Sequence, residues 1–119
     1  MRESLIQIKT YAFALRIVKL YKFLCESRKE FVISKQLLKS GTAPGALSYE
    51  AEHAQSKADF LNKMNIALKE ANETKYWLFL LKDSQYLTTD EFLAIIPDCK
   101  EIIRMLVSTV KTTKSSMNR

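Results

Sequence analysis

The chain has 119 residues, 47% of them hydrophobic and 27% charged, with a formal net charge of +6 and only two glycines and two prolines. That balance excludes a disordered polypeptide, and so few turn residues disfavour a fold of many short strands. A single domain of this size buries roughly two-thirds of its unfolded surface, enough for a core without disulfide or metal staples.

The first predicted helix covers 10–26 and can begin near Ser4, since the LIQI segment suits either a helical turn or an extended lead-in. Phe13, Ile17, Leu20 and Leu24 form one stripe at helical spacing, and Tyr11, Ala14, Val18, Tyr21 and Cys25 form its neighbour. Lys9, Arg16, Lys19 and Lys22 occupy the other half of the circumference with only Glu26 to balance them. Residues 1–45 carry nine Lys or Arg against Glu3, Glu26 and Glu30, so this third of the chain holds the whole basic excess. With Arg28 and Lys29, these side chains are the candidate contacts to RNA or DNA. A solvated surface is the plain alternative.

A second helix is expected over 29–54, after a short connection at Ser27-Arg28, with Phe31, Leu37 and Leu38 directed inward. Pro44 has no N–H for the carbonyl of Ser40, and Gly41 and Gly45 weaken the helix, so a kink or break is expected between 40 and 46. If the helix continues, Ser34, Gly41, Gly45 and Ser48 align into a side-chain-poor groove that another helix can approach. An ordinary loop joining two shorter helices is the competing reading. The stretch lacks the G-K-[ST] ending of a phosphate-binding loop.

The third helix spans 56–83. Ser56 and Asp59 supply its capping pair, and Phe60, Met64, Ala67, Ala71, Thr74, Leu78 and Leu81 supply its core stripe. Ile66, Trp77 and Leu80 lie on a different side, interleaved with Glu70 and Glu73. Together with Tyr76 they are the candidate subunit-interface residues, because aromatics beside leucines suit a protein interface better than a base-stacking platform.

The fourth helix is expected over 89–112, opened by a Thr88/Glu91 capping box. Phe92, Ile95, Ile96, Cys99, Ile102, Ile103, Leu106 and Val110 form its inner stripe. Pro97 is expected to bend it or split off its first turns, and the chain from Thr112 onward to fray. Four helices with short connections predict an all-α fold, an up-down-up-down four-helix bundle in one domain, 1–119.

No constellation carries catalysis. Glu50-x-x-His53 has the spacing of a di-iron ligand pair, but a bundle site of that kind needs two such helices and His53 is the lone histidine. Cys25 and Cys99 lack C-x-x-C spacing and fall in apolar helical contexts, as buried thiols do. Glu70 and Glu73 sit one turn apart, but Lys69 four residues before Glu73 and Asp59 four before Lys63 suggest solvated ion pairs. The expectation is a protein that is not an enzyme and uses no metal or cofactor. No signal-peptide core or membrane-length apolar run is present, which points to a cytoplasmic location.

Several blocks together resemble a known family: Tyr11-Ala12-Phe13-Ala14, Ser34-Lys35-Gln36-Leu37-Leu38-Lys39-Ser40-Gly41-Thr42, Ala54-Gln55-Ser56-Lys57-Ala58-Asp59-Phe60 and Ile66-Ala67-Leu68-Lys69-Glu70-Ala71 through Tyr76-Trp77-Leu78. The chain is similar to the bacterial four helix bundle proteins related to those encoded in intervening sequences of 23S rRNA genes. It departs from the usual pattern at Pro44 and Leu47, where typical members carry isoleucine and asparagine, which bears on the geometry of the second helix. The resemblance implies a homo-oligomeric ring, a pentamer, and supplies no catalytic residue. A similar accessory protein of diversity-generating retroelements works with a reverse transcriptase and RNA, so nucleic acid becomes an expected partner by analogy. The competing expectation is an oligomeric scaffold that binds a protein partner through the third helix.

Overall fold

Four helices account for most of the molecule: α1 (Leu5–Arg28), α2 (Ile33–Ala51), α3 (Lys57–Asp83) and α4 (Thr89–Met117). The coordinates are a computed structural model that describes residues 4–118. Arg2, Glu3 and Arg119, counted in the charge above, lie outside the described residues.

Local capping sets most of the boundaries. The Ser4 hydroxyl accepts the Gln7 N–H (3.2 Å) and the Gln7 side chain accepts the Ser4 N–H (2.9 Å), so the LIQI segment is the first turn of α1. Thr88 and Glu91 form the same reciprocal pair at α4, and Ser56 accepts the Asp59 N–H at α3.

The start of α2 differs from expectation. The helix opens at Ile33, and Phe31, expected inward, lies in the connection and is 58% exposed. A carboxylate explains the shift. Glu30 is buried, and its oxygens accept N–H bonds from Val32 (3.2 Å), Ile33 (3.0 Å) and Ser34 (2.6 Å), satisfying donors that a new helix leaves open. Burial pushes the Glu30 carboxyl up, but the bonds from Ser34, Ile33 and Val32 outweigh it and hold its pKa below the ordinary 4.5. Glu30→Ala is expected to cost about 2 kcal/mol in urea unfolding at neutral pH, as a lost cap with buried donors left open. Because the folded pKa is lowered, the stabilisation from this carboxylate is present above 4.5 and lost as pH falls through the folded value. The gap between wild type and variant should therefore narrow on acidification.

α2 runs unbroken through Pro44, which rules out the loop between two shorter helices. α4 likewise passes through Pro97, which is exposed, without splitting. The expected fraying from Thr112 does not occur, and α4 continues to Met117. There the Thr113 hydroxyl donates to the Thr109 carbonyl (2.8 Å), and Lys57 at the start of α3 contacts the Ser116 hydroxyl.

The helices form a square in which α1 and α3 each neighbour α2 and α4 while the diagonals stay apart. Ion pairs fix the direction of α4 on α1: Lys9 reaches Glu101, Arg16 reaches Asp98 and Arg28 reaches Glu91, so one numbering falls as the other rises. The result is an antiparallel bundle about 50 × 24 × 22 Å.

The expected stripes of α3 and α4 are buried, with Phe60 and Ile103 at the margin of the core. On α1 the stripe of Phe13, Ile17 and Leu24 is buried as expected, with Leu20 at the margin of the core, but the neighbouring stripe is at best half-buried. Thr10 and Gln7 are buried, whereas Tyr11 is 57% exposed. Both buried polar groups are satisfied: the Thr10 hydroxyl donates to the Ile6 carbonyl (2.7 Å) and the Gln7 amide to Glu52 (3.1 Å).

The seating of α1 depends on the groove in α2. Ser34, Gly41, Gly45 and Ser48 are all buried, as a continuous helix requires of them. A Cβ added to Gly41 would lie 2.8 Å from Cγ1 and Cγ2 of Ile17, and one on Gly45 would lie 3.3 Å from the Thr10 carbonyl oxygen. Bare backbone on α2 thus lets α1 seat Ile17 at the centre of the core. The Thr74 hydroxyl donates to Ser40 Oγ (3.0 Å) and ties α3 to the same helix.

Candidate functional site

The basic side chains of α1 divide into two sets. Lys9 (3.3 Å to Glu101), Arg16 and Arg28 cross to acids of α4 along the seam where α1 and α4 meet least closely. Arg16 also donates to the Ala94 carbonyl (2.7 Å). Arg28 is the most engaged: it bonds both Glu91 oxygens (2.8 and 3.2 Å) and the Tyr86 carbonyl (2.7 Å), and lies 4.6 Å from the Phe23 ring centroid. Bonds from the Thr88 backbone and from Arg28 hold the Glu91 carboxyl below its ordinary range. Among the described residues, Lys19, Lys22 and Lys29 are exposed and have no acidic partner.

The weak seam leaves concavities. One of about 400 Å³ is lined by Leu20, Phe23, Ala94 and Ile95, with Arg16, Lys19 and Glu91 at its charged positions. Its apolar floor and mixed-charge rim do not make an anion cradle, since Arg16 already serves Asp98.

The candidate interface residues of α3 differ in exposure. Ile66 is 38% and Tyr76 60% exposed, whereas Trp77 and Leu80 are half-buried, with Trp77 packed against the core. The Tyr76 and Trp77 rings meet edge to face, centroids 5.0 Å apart. Glu70 and Glu73 are not the solvated ion pairs expected. Asp59 pairs with Lys63 (3.9 Å), but Lys69 forms no such pair with Glu73. Burial, then the Glu73 charge and a hydrogen bond that the protonated Glu70 carboxyl donates to Glu73, raise the pKa of Glu70, with Lys69 and Lys39 opposing in part.

A larger apolar surface was missed. Ile8, Tyr11 and Leu15 on α1, with Tyr49 on α2, are each about half exposed and line a concavity of about 490 Å³. Its sequence signal was the spacing Ile8, Ala12, Leu15, a third helical stripe in phase with Lys19.

The groups tested for chemistry stand apart. Glu50 and His53 are exposed, with His53 beyond the end of α2, and the described residues contain no cluster of three or more His, Cys, Asp or Glu able to hold a metal ion. Cys99 is fully buried, donates to the Ala71 carbonyl (3.6 Å), and its thiol is pushed up to about 12 by burial. Cys25, expected to be buried, is half-exposed, 3.8 Å from the Ser34 hydroxyl. Among the described residues no helix is long and apolar enough to cross a membrane.

The family model of the 23S rRNA-intervening sequence protein matches residues 2–108, nearly the whole bundle. The chain belongs to that family. A solved structure described as a protein of unknown function from the S23 ribosomal protein family of Bacteroides thetaiotaomicron is 56% identical. The match covers 89% of this chain and 95% of the other, with a TM-score of 0.87. Comparison with curated proteins finds no match. Membership in the 23S rRNA-intervening sequence family therefore comes with a shared bundle and no assigned activity.

Proposed function

We propose that this member of the family is a non-enzymatic, homo-oligomeric scaffold. The observation that carries the reading is the exposure of large apolar side chains on two opposite corners of the bundle, Ile8, Tyr11 and Leu15 on α1 and Ile66 and Tyr76 on α3. Ile8, Tyr11 and Leu15 share one concavity, and a monomer in water rarely keeps an apolar patch of that kind uncovered. The inert Cys99 thiol supports the absence of nucleophilic catalysis. The ring of five copies implied by the family resemblance is one way to cover both corners, and a protein partner would then meet the assembled surface. Light scattering on the purified chain should return a multiple of 13.7 kDa at micromolar concentration. A monomer there would overturn the proposal.

A second reading, binding to RNA or DNA, draws on Lys19, Lys22 and Lys29, whose charges are exposed without acidic partners. It is weaker than the sequence suggested, because Lys9, Arg16 and Arg28 neutralise α4. Titrating labelled RNA and duplex DNA over a salt series tests it. Phosphate-driven binding to duplex DNA must weaken with a log–log slope of about −0.9 per contact, and Lys19→Glu/Lys22→Glu/Lys29→Glu should abolish it. Absence of binding at low salt removes this reading.

A further inference from the structure

α1 and α3 sit on opposite corners of the square, so their outward faces do not meet within one molecule. Along the outer face of α1, Ala12, Leu15, Lys19 and Lys22 are all exposed and follow one another at steps of three, four and three. Read backwards along α3, Leu80, Trp77, Glu73 and Glu70 follow the same steps. Antiparallel helices laid face to face meet in opposite numerical order. The two lines then match apolar to apolar and cation to anion over a span of ~15 Å.

The charges on both lines lack partners. Lys19 and Lys22 form no ion pair, and neither Glu70 nor Glu73 pairs with a lysine, among the described residues. Burial and then the neighbouring Glu73 charge raise the pKa of Glu70, which Lys69 and Lys39 offset only in part. Two lysines supplied from outside would relieve that repulsion, and covering the adjacent apolar residues strengthens the new pairs by excluding water.

We propose that α1 of one copy packs antiparallel on α3 of the next, with Leu15 against Trp77, Lys19 against Glu73 and Lys22 against Glu70. The inference rests on the oligomeric reading and specifies its contact. The interface is heterologous: each copy offers α1 to one neighbour and α3 to another, which generates a ring when the rotation closes and an open chain when it does not. Lys19 and Lys22 are then spent between subunits, leaving little of the α1 strip for nucleic acid.

Light scattering on four full-length proteins tests the pairing: wild type, Lys19→Glu/Lys22→Glu, Glu70→Lys/Glu73→Lys, and the variant with all four changes. Each double variant should dissociate at a protein concentration at least about tenfold higher than wild type, because like charges then face each other. The fourfold variant should reassemble. Circular dichroism reports whether each variant stays helical. Should a swap fail to fold, Lys19→Cys/Glu73→Cys gives an independent reading. Oxidation should link position 19 of one copy to position 73 of another, identified by mass spectrometry of the linked peptides, since the diagonal placement prevents that bond within a chain.

A monomeric wild type overturns the oligomeric reading and this contact with it. A wild-type oligomer that tolerates both double swaps, or that forms no link between positions 19 and 73, overturns the contact alone.

Discussion

Gly41→Leu is expected to destabilise the bundle by about 3 kcal/mol, the upper range for overpacking a filled core. Even a Cβ at this position would lie 2.8 Å from two carbons of Ile17, a side chain with no exposed surface. Ile17 has no room to swing aside, so α1 must lift off α2 or the rotamers must strain. For a chain of this size that loss lowers the melting temperature by roughly 10–15 °C. Gly41→Ala is the instructive comparison, since alanine returns about 1 kcal/mol of helix propensity and offsets part of the clash. Gly45→Ala meets the Thr10 backbone carbonyl at 3.3 Å, a neighbour that cannot rotate away. Thermal unfolding of the three variants should therefore rank Gly41→Leu as the worst by a wide margin. Equal stability would mean that α1 does not approach α2 as closely as described.

Leu78→Ala is expected to cost about 2–5 kcal/mol, the range for emptying a large aliphatic side chain from a closed core. Leu78 has no exposed surface and lies on the inner stripe of α3 with Met64, Ala67, Ala71 and Leu81. Two residues earlier, Tyr76 is 60% exposed, and Tyr76→Ala should cost the dissociated chain only about 1 kcal/mol, through its edge-to-face contact with Trp77. Urea unfolding at a concentration below assembly separates the two. The same Tyr76→Ala protein, taken above that concentration, reports whether the outer face of α3 contributes to association.

The charge on α1 has a structural use that competes with any ligand. Three of its cations hold α1 to the helix it packs against least closely, and Arg28 further anchors the α3–α4 connection through the Tyr86 carbonyl. Exposed pairs of this kind contribute little each, typically below about 1 kcal/mol, although Arg28 gains from bidentate geometry. Their larger effect is on register, because each cation meets an acid only when α4 runs antiparallel at one offset. Phosphate binding by Arg16 or Arg28 would have to displace a carboxylate, whereas Lys19 and Lys22 bear no such penalty.

Much of the bundle was legible in the residues themselves. Ser56 with Asp59 and Thr88 with Glu91 marked two helix starts, and the inner stripes of α3 and α4 followed from their 3.6-residue period. The small-residue line on α2 announced a close approach. These features are determined by sequence because each depends on neighbours within a turn or two of the same helix. Family membership was legible for a related reason, since its blocks follow the same helices in order. What only the tertiary structure decided involves a second helix. Thr10 is inside and Tyr11 outside because the stripe seated against Gly41 through Ile17 continues along α2 to Gly45, which Thr10 approaches. Glu30 is inside and Phe31 outside because the carboxylate is needed to close the buried end of α2. Lys9, Arg16 and Arg28 are spoken for because α4 brings acids to them. Local periodicity says which face of a helix is apolar, but which polar groups across from it will pair is a property of the packed neighbour, and no spacing along one helix contains it.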